Sequence, residues 1–383
     1  MNILYRFFAI HPRQSLKEMY MFSVLFSFAS ALILIFEPVF FYQEGFSLSK
    51  IALYYALHYS LYVILLPLGG KFAGRFGLER SLALSMPLFV VYFVTLAAIP
   101  LAPGLFWLAW VLLTVFKIFY WPAYHTEICR FGDAANRGTE LSWLIALTSG
   151  AGAIGPIVGG FVAAYFGFSV LFVSAACLAL LATFPLLLTK ERYRPQTFPY
   201  SLPWRMMGMR RYRGMVLTMV GWGENLIDLV FWPIFMFIIL GGTQKLGLVA
   251  SINVLVMSIL GFFVGEISDR FSRRQIIRLH IPFMILGYLF RPLASTSLRV
   301  FLTDTLSKAA LIGVRIPMWH ILYQRGRREG ALRYAVTFEM VLAVSKAAVA
   351  FVLVGVFAVS LPYTGFTLAW MMAAALTLLY VFL

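Results

Sequence analysis

Residues 70–79 read GKFAGRFGLE and residues 265–274 read GEISDRFSRR. Each stretch opens on a glycine, carries Arg-Phe at its sixth and seventh positions, and follows a long apolar run. They lie 195 residues apart. The same offset relates Pro38 to Pro233, Lys50 to Lys245, Pro122 to Pro317 and His125 to His320. Between residues 36–76 and 231–271, 10 of 41 ungapped positions are identical. An apolar bias alone does not supply matched Pro, His, Lys and Gly. The chain is an internal duplication, and its two charged knots are equivalent points in two copies.

What is duplicated follows from the composition. Of 383 residues, 62% are hydrophobic and 12% charged, about half the charged share of a soluble domain. Apolar runs of about 20 residues recur, the length a helix needs to cross a bilayer. Twelve spans are expected near 19–43, 49–71, 80–101, 104–128, 140–165, 168–189, 215–240, 244–265, 275–294, 298–323, 335–359 and 363–383. The expected fold is an all-α membrane protein of twelve transmembrane helices in two pseudo-symmetric six-helix bundles. Residues 1–189 form the first half, 190–213 a basic linker, and 214–383 the second half.

The formal net charge of +16 reflects topology. With the N-terminus inside, the inner segments collect 23 of the 31 Lys and Arg residues, which satisfies the positive-inside rule. Both termini are expected in the cytoplasm, in a cell (inner or plasma) membrane, with the first span an uncleaved anchor. Basic residues in alternate loops fit anionic lipid and exclude a nucleic-acid groove. Cys129 and Cys177 form no disulfide framework. No phosphate loop or zinc helix occurs, so no cofactor and no metal are expected. The partners expected are a small-molecule substrate, protons and membrane lipids, with the chain a monomer.

The charged knots resemble the loop signature of the major facilitator superfamily. The second copy matches it at Gly265, Ser268, Asp269, Arg270, Arg273 and Arg274, with Ser272 replacing a later glycine. The first matches at Gly70, Ala73, Arg75, Gly77 and Arg80 but has Gly74 in place of the carboxylate. The resemblance implies a latch that joins the halves at the cytoplasmic face. Asp269 is expected near the start of the fifth span, by Gly138 and Thr139, where a helix dipole favours a carboxylate. Gly74 reads as a lost latch position. The fifth span also contains GPIVGG at 155–160, which looks like the Gly-Pro signature of the drug/proton antiporter branch. Gly155, Gly159 and Gly160 offer close packing, and Pro156 a helix bend. Ala151 replaces that signature's upstream glycine, and the fourth span lacks the branch's arginine.

Ionisable residues inside spans mark pathways or partners. Glu37 lies in the first span, Lys117 in the fourth, Glu224 and Asp228 in the seventh, Asp304, Lys308 and Arg315 in the tenth, and Lys346 in the eleventh. In the superfamily the first, fourth, seventh and tenth helices line the cavity. Glu37, Lys117, Glu224, Asp228, Lys308, Arg315 and Lys346 are the candidate coupling and cavity charges. Asp304 is expected to pair with Lys308, and Asp228 with Lys346, leaving Glu224 for the exchangeable proton. His125 and His320 are expected to cap helices. The reading is a secondary transporter of a small organic solute, proton-coupled and not an enzyme. The Gly-Pro span points to efflux by antiport. The alternative is a proton-coupled importer of a sugar or anionic metabolite. A non-transporting sensor or enzyme on the same fold is the reading of another class.

Overall fold

The computed structural model describes residues 14–130, 137–188 and 195–383. Within them, the side chains of 14–20, 130, 137–146, 185–188, 262 and 265–270 lie outside the description. The described residues are helical with no strand. A bilayer offers the backbone no water, so a spanning segment must satisfy its own N–H and C=O groups, as helices do.

Twelve helical segments follow one another. Span α1 comprises Gln14–Ile33 and Phe36–Gln43, α2 Leu48–Phe76, α3 Leu78–Ala98, α4 Leu105–Arg130, α5 Arg137–Phe166 and α6 Phe168–Leu188. A short linker helix, Leu202–Gly208, leads to α7, which runs in pieces from Arg213 to Leu240. Then come α8 (Thr243–Arg270), α9 (Arg273–Phe290), α10 (Ser297–Glu329), α11 (Ala331–Val359) and α12 (Pro362–Thr377). Ten segments are long and apolar enough to cross a membrane by length and composition. The other two are α6, whose described apolar stretch is Phe168–Phe184, and α10, which carries Asp304, Lys308 and Arg315. The chain is an integral membrane protein. Its flanks expose large apolar side chains such as Phe166, Phe184, Leu279 and Leu298, as a lipid-facing surface requires.

The duplication reappears as geometry. Helices α2 and α8 begin at Leu48 and Thr243, and α3 and α9 at Leu78 and Arg273, each pair at the offset of 195. Pro122 and Pro317 lie inside α4 and α10. One difference falls in the charged knots. Gly77 joins α2 to α3 at φ +114°, a conformation that favours glycine. Its counterpart Ser272 sits at φ −62°, so the second copy needs no glycine there.

Between the halves, α2 packs along α11 and α5 along α8. Small residues set these approaches. A Cβ on Gly160 would meet the Thr243 carbonyl oxygen at 2.5 Å, and one on Gly247 the Pro156 oxygen at 2.2 Å. Gly155 and Gly159 instead face α1, where a Cβ would meet Ala31 Cβ at 2.4 Å and the Leu32 oxygen at 2.2 Å. The Gly-Pro stretch therefore uses its glycines in two directions. Pro156 lies within the helix, and its carbonyl faces Gly247.

Candidate functional site

The charged residues of the spans form three groups. The first lies wholly in the second half. Span α7 is irregular here: Arg213–Gly221 is α-helical, Trp222–Glu224 is 3₁₀, Ile227–Phe231 is π, and Trp232–Leu240 is α-helical again. Such bulges often mark functional sites. Ser345 Oγ donates to the Val220 carbonyl at 2.6 Å, which ties α11 to the disturbed turn. Glu224, fully buried, receives Tyr380 Oη–H at Oε1 at 2.8 Å. Its Oε2 lies 2.6 Å from the hydroxyl of Tyr288, which also lies 2.9 Å from Asp228 Oδ2. Arg291 Nη1 meets Asp228 Oδ1 at 2.6 Å. The Arg291 guanidinium is 1% exposed, between the rings of Trp232 at 4.3 Å and Tyr288 at 4.6 Å.

This corrects one expectation. Asp228 pairs with Arg291 of the α9 exit turn, and Lys346 instead donates to Asn225 Oδ1 at 3.0 Å. A turn of helix separates Asn225 from Asp228, so a partner on α11 reaches one and a partner on α9 the other. Sequence reasoning missed Tyr288, Arg291 and Tyr380. Tyr288 and Arg291, three apart and hence on one helix face, were the available signal.

The second group repeats across the pseudo-symmetry. His58 on α2 contacts Thr114 Oγ1 at 2.8 Å and Lys117 Nζ at 3.3 Å on α4. Asn253, the residue at the offset of 195 from His58, donates to Asp304 Oδ2 at 2.6 Å and accepts from Thr305 Oγ1 at 2.6 Å on α10. Asp304 also takes Trp232 Nε1–H at 2.8 Å and pairs with Lys308 at 2.9 Å, the pair expected from the i, i+4 spacing. Glu37 accepts from Tyr55 Oη–H at 2.9 Å.

The third group joins the halves at the end of the bundle that carries the linker. His125 of α4 reaches Glu339 Oε1 of α11 at 3.0 Å through Nε2, and Tyr323 Oη of α10 at 2.8 Å through Nδ1. Tyr62 of α2 donates to Glu339 Oε2 at 3.3 Å. The imidazole stacks between Trp121 and Trp319, each at 5.1 Å. His125 thus bridges the halves rather than capping its own helix. Nearby, a Cβ on Gly70 would come within 2.9 Å of Val336 and 3.0 Å of Phe198. The Gly74 carbonyl accepts Gln196 N–H at 2.8 Å, and a Cβ there would meet the Gln196 oxygen at 3.0 Å. Gly74 therefore seats the linker, a packing reason for the missing carboxylate. Arg75 lies over Phe76 at 5.3 Å. Arg273 and Arg274 line a cleft of about 450 Å³ with Arg325 and Arg328. The surroundings of Gly265, Asp269 and Arg270, and of Gly138 and Thr139, lie outside the described residues, so the expected contact of Asp269 does too.

Twelve helices in two equivalent halves, with buried charge between them, agree with a family comparison. A model described as Major Facilitator Superfamily matches residues 19–325. The chain belongs to the Major Facilitator Superfamily. Among solved structures, the chain is similar to a point mutant of the nucleoside transporter NupG, at TM-score 0.71 and 14% identity, covering 96% of this chain and 98% of that one. It is also similar to a point mutant of the E. coli fucose:proton symporter FucP, at TM-score 0.64 and 15% identity, again covering 96% and 98%. No curated protein matches the chain by sequence. At such identities the likeness carries the fold. Superfamily membership, matched by sequence over residues 19–325, points to a transporter.

Proposed function

We propose that this chain is a proton-coupled importer of a small organic solute. It works by alternating access between residues 1–189 and 214–383, acts as a monomer, and sits in the cell membrane with the linker in the cytoplasm. Import replaces the efflux reading because two of the solved neighbours bear on it. One is named a fucose:proton symporter and the other a nucleoside transporter, whereas the Gly-Pro glycines are accounted for by helix packing.

The observation that carries proton coupling is the single Tyr288 hydroxyl between Glu224 and Asp228. A phenol has one hydrogen to give. Both short contacts are satisfied together only when one carboxyl holds a proton. Asp228 already has the Arg291 cation at its other oxygen, while Glu224 has only hydroxyl partners within hydrogen-bond reach among the described residues, so the proton is assigned to Glu224. Glu224 then donates to Tyr288, and Tyr288 donates to Asp228. A substitution at Glu224 separates coupling from binding. Glu224→Gln should abolish uptake driven by a proton gradient in proteoliposomes and retain solute counterflow. Undiminished gradient-driven uptake would remove Glu224 from this role.

A further inference from the structure

The cations of the central region are matched unequally to the carboxylates. Arg291 has Asp228 and Lys308 has Asp304, while Glu339 is taken by His125 and Tyr62. Lys117, Arg315 and Lys346 have no carboxylate at ion-pair distance among the described residues. Lys117 reaches only the neutral-capable nitrogen of His58, and Lys346 only the amide of Asn225. The two ammonium groups flank the same ring: Lys117 Nζ lies 5.2 Å and Lys346 Nζ 5.3 Å from the centre of Tyr59. Arg315 lies over Trp222 at 5.5 Å, and its buried Nε has no hydrogen-bond partner among the described residues.

These groups come from both halves, with Tyr59 and Lys117 on α2 and α4, and Trp222, Arg315 and Lys346 on α7, α10 and α11. Lys117 and Arg315 are partly exposed. Cations held inside a membrane protein without a counter-charge are costly. An unmatched buried hydrogen-bonding group adds a further cost. A bound anion would relieve both penalties.

We infer that the transported solute is a small organic anion, its carboxylate or phosphate held by Lys117, Lys346 and Arg315 and its body laid against Tyr59 and Trp222. This rests on the importer reading above and supplies its coupling logic. Trp222, which lies under Arg315, and Asn225, which Lys346 holds, flank Glu224 on the same stretch of α7. An ionised Glu224 competes with the solute for those cations. A protonated Glu224 releases them, so proton and anion favour each other's binding and move together.

Paired probes of one shape and different charge test this. Thermal unfolding of the purified chain in detergent is followed with gluconate against glucose, benzoate against benzamide, and ribose 5-phosphate against ribose, because a ligand bound to the native state raises its stability. At least one anion should stabilise saturably where its neutral partner does not. Arg315→Gln and Lys346→Gln should each raise its half-saturating concentration by about tenfold or more, and Arg315→Lys should restore most of the response. Glu224→Gln should keep the response and remove its pH dependence, over a range where the probe stays ionised. Stabilisation by no anion, equal stabilisation by both members of every pair, or insensitivity to Arg315→Gln would overturn the inference. A neutral probe that drives proton uptake into proteoliposomes would leave the importer reading standing while the anion site falls. Loss of proton movement with every solute would count against the importer reading itself.

Discussion

Asp228 and Arg291 form the ion pair whose removal should cost most. Asp228→Asn keeps the side-chain shape and removes the charge. It leaves the Arg291 guanidinium, 1% exposed, with two aromatic rings and no anion. Breaking a buried pair from one side costs about 3–5 kcal/mol. Arg291→Met strands Asp228 instead and also removes the cation from Trp232 and Tyr288, worth a further ~1–2 kcal/mol where desolvated. It should be the worse of the two. The double variant leaves no stranded charge. It should be more stable than the summed single losses by about 3 kcal/mol, the upper part of the range for residues in contact. Unfolding of the purified chain in mixed detergent–SDS micelles measures all four corners of the cycle. A parallel cycle of Asp228→Asn with Lys346→Met should be additive to within about 0.5 kcal/mol, because Lys346 binds Asn225. Additivity in the Arg291 cycle together with strong coupling in the Lys346 cycle would refute the assignment.

Three other consequences follow from contacts between helices. His125→Ala strips Glu339 of its shortest partner and should favour separation of the halves at the linker end by about 2 kcal/mol, roughly a 30-fold population shift. Spin labels at Lys71 and Arg328 should report a longer mean distance, and an unchanged distance would argue against a closing contact there. Gly247→Ala forces a Cβ onto the Pro156 carbonyl and should cost about 1–3 kcal/mol in stability; Gly355→Ala, which meets nothing within 4 Å, should be nearly neutral in the same unfolding measurement. Gly74→Asp should loosen the linker at Gln196 rather than strengthen a latch. Faster proteolysis of the linker would show it, and wild-type resistance would not fit.

The number and order of the spans, the duplication at an offset of 195, and the helices that carry charge were all legible along the chain. Those properties depend on one-dimensional patterns: a run of apolar residues must be about 20 long to cross a bilayer, and a repeated fold keeps its breakpoints, as Leu48 with Thr243 and Leu78 with Arg273 show. The Asp304–Lys308 pair was legible for the same reason, since four residues of helix bring two side chains together without help from any neighbour. Partners across helices were not legible in this way. Arg291 lies at the end of α9, yet it folds back against Trp232 and Tyr288 onto Asp228. Likewise, His125 and Glu339 lie 214 positions apart, and nothing local in either span indicates that they touch. Whether two such groups meet depends on the rotation, tilt and depth of each helix, and on irregularities such as the π-turn at Ile227–Phe231. Those are fixed by packing against all neighbours at once, so the chain could name the charges and only the packed bundle could pair them.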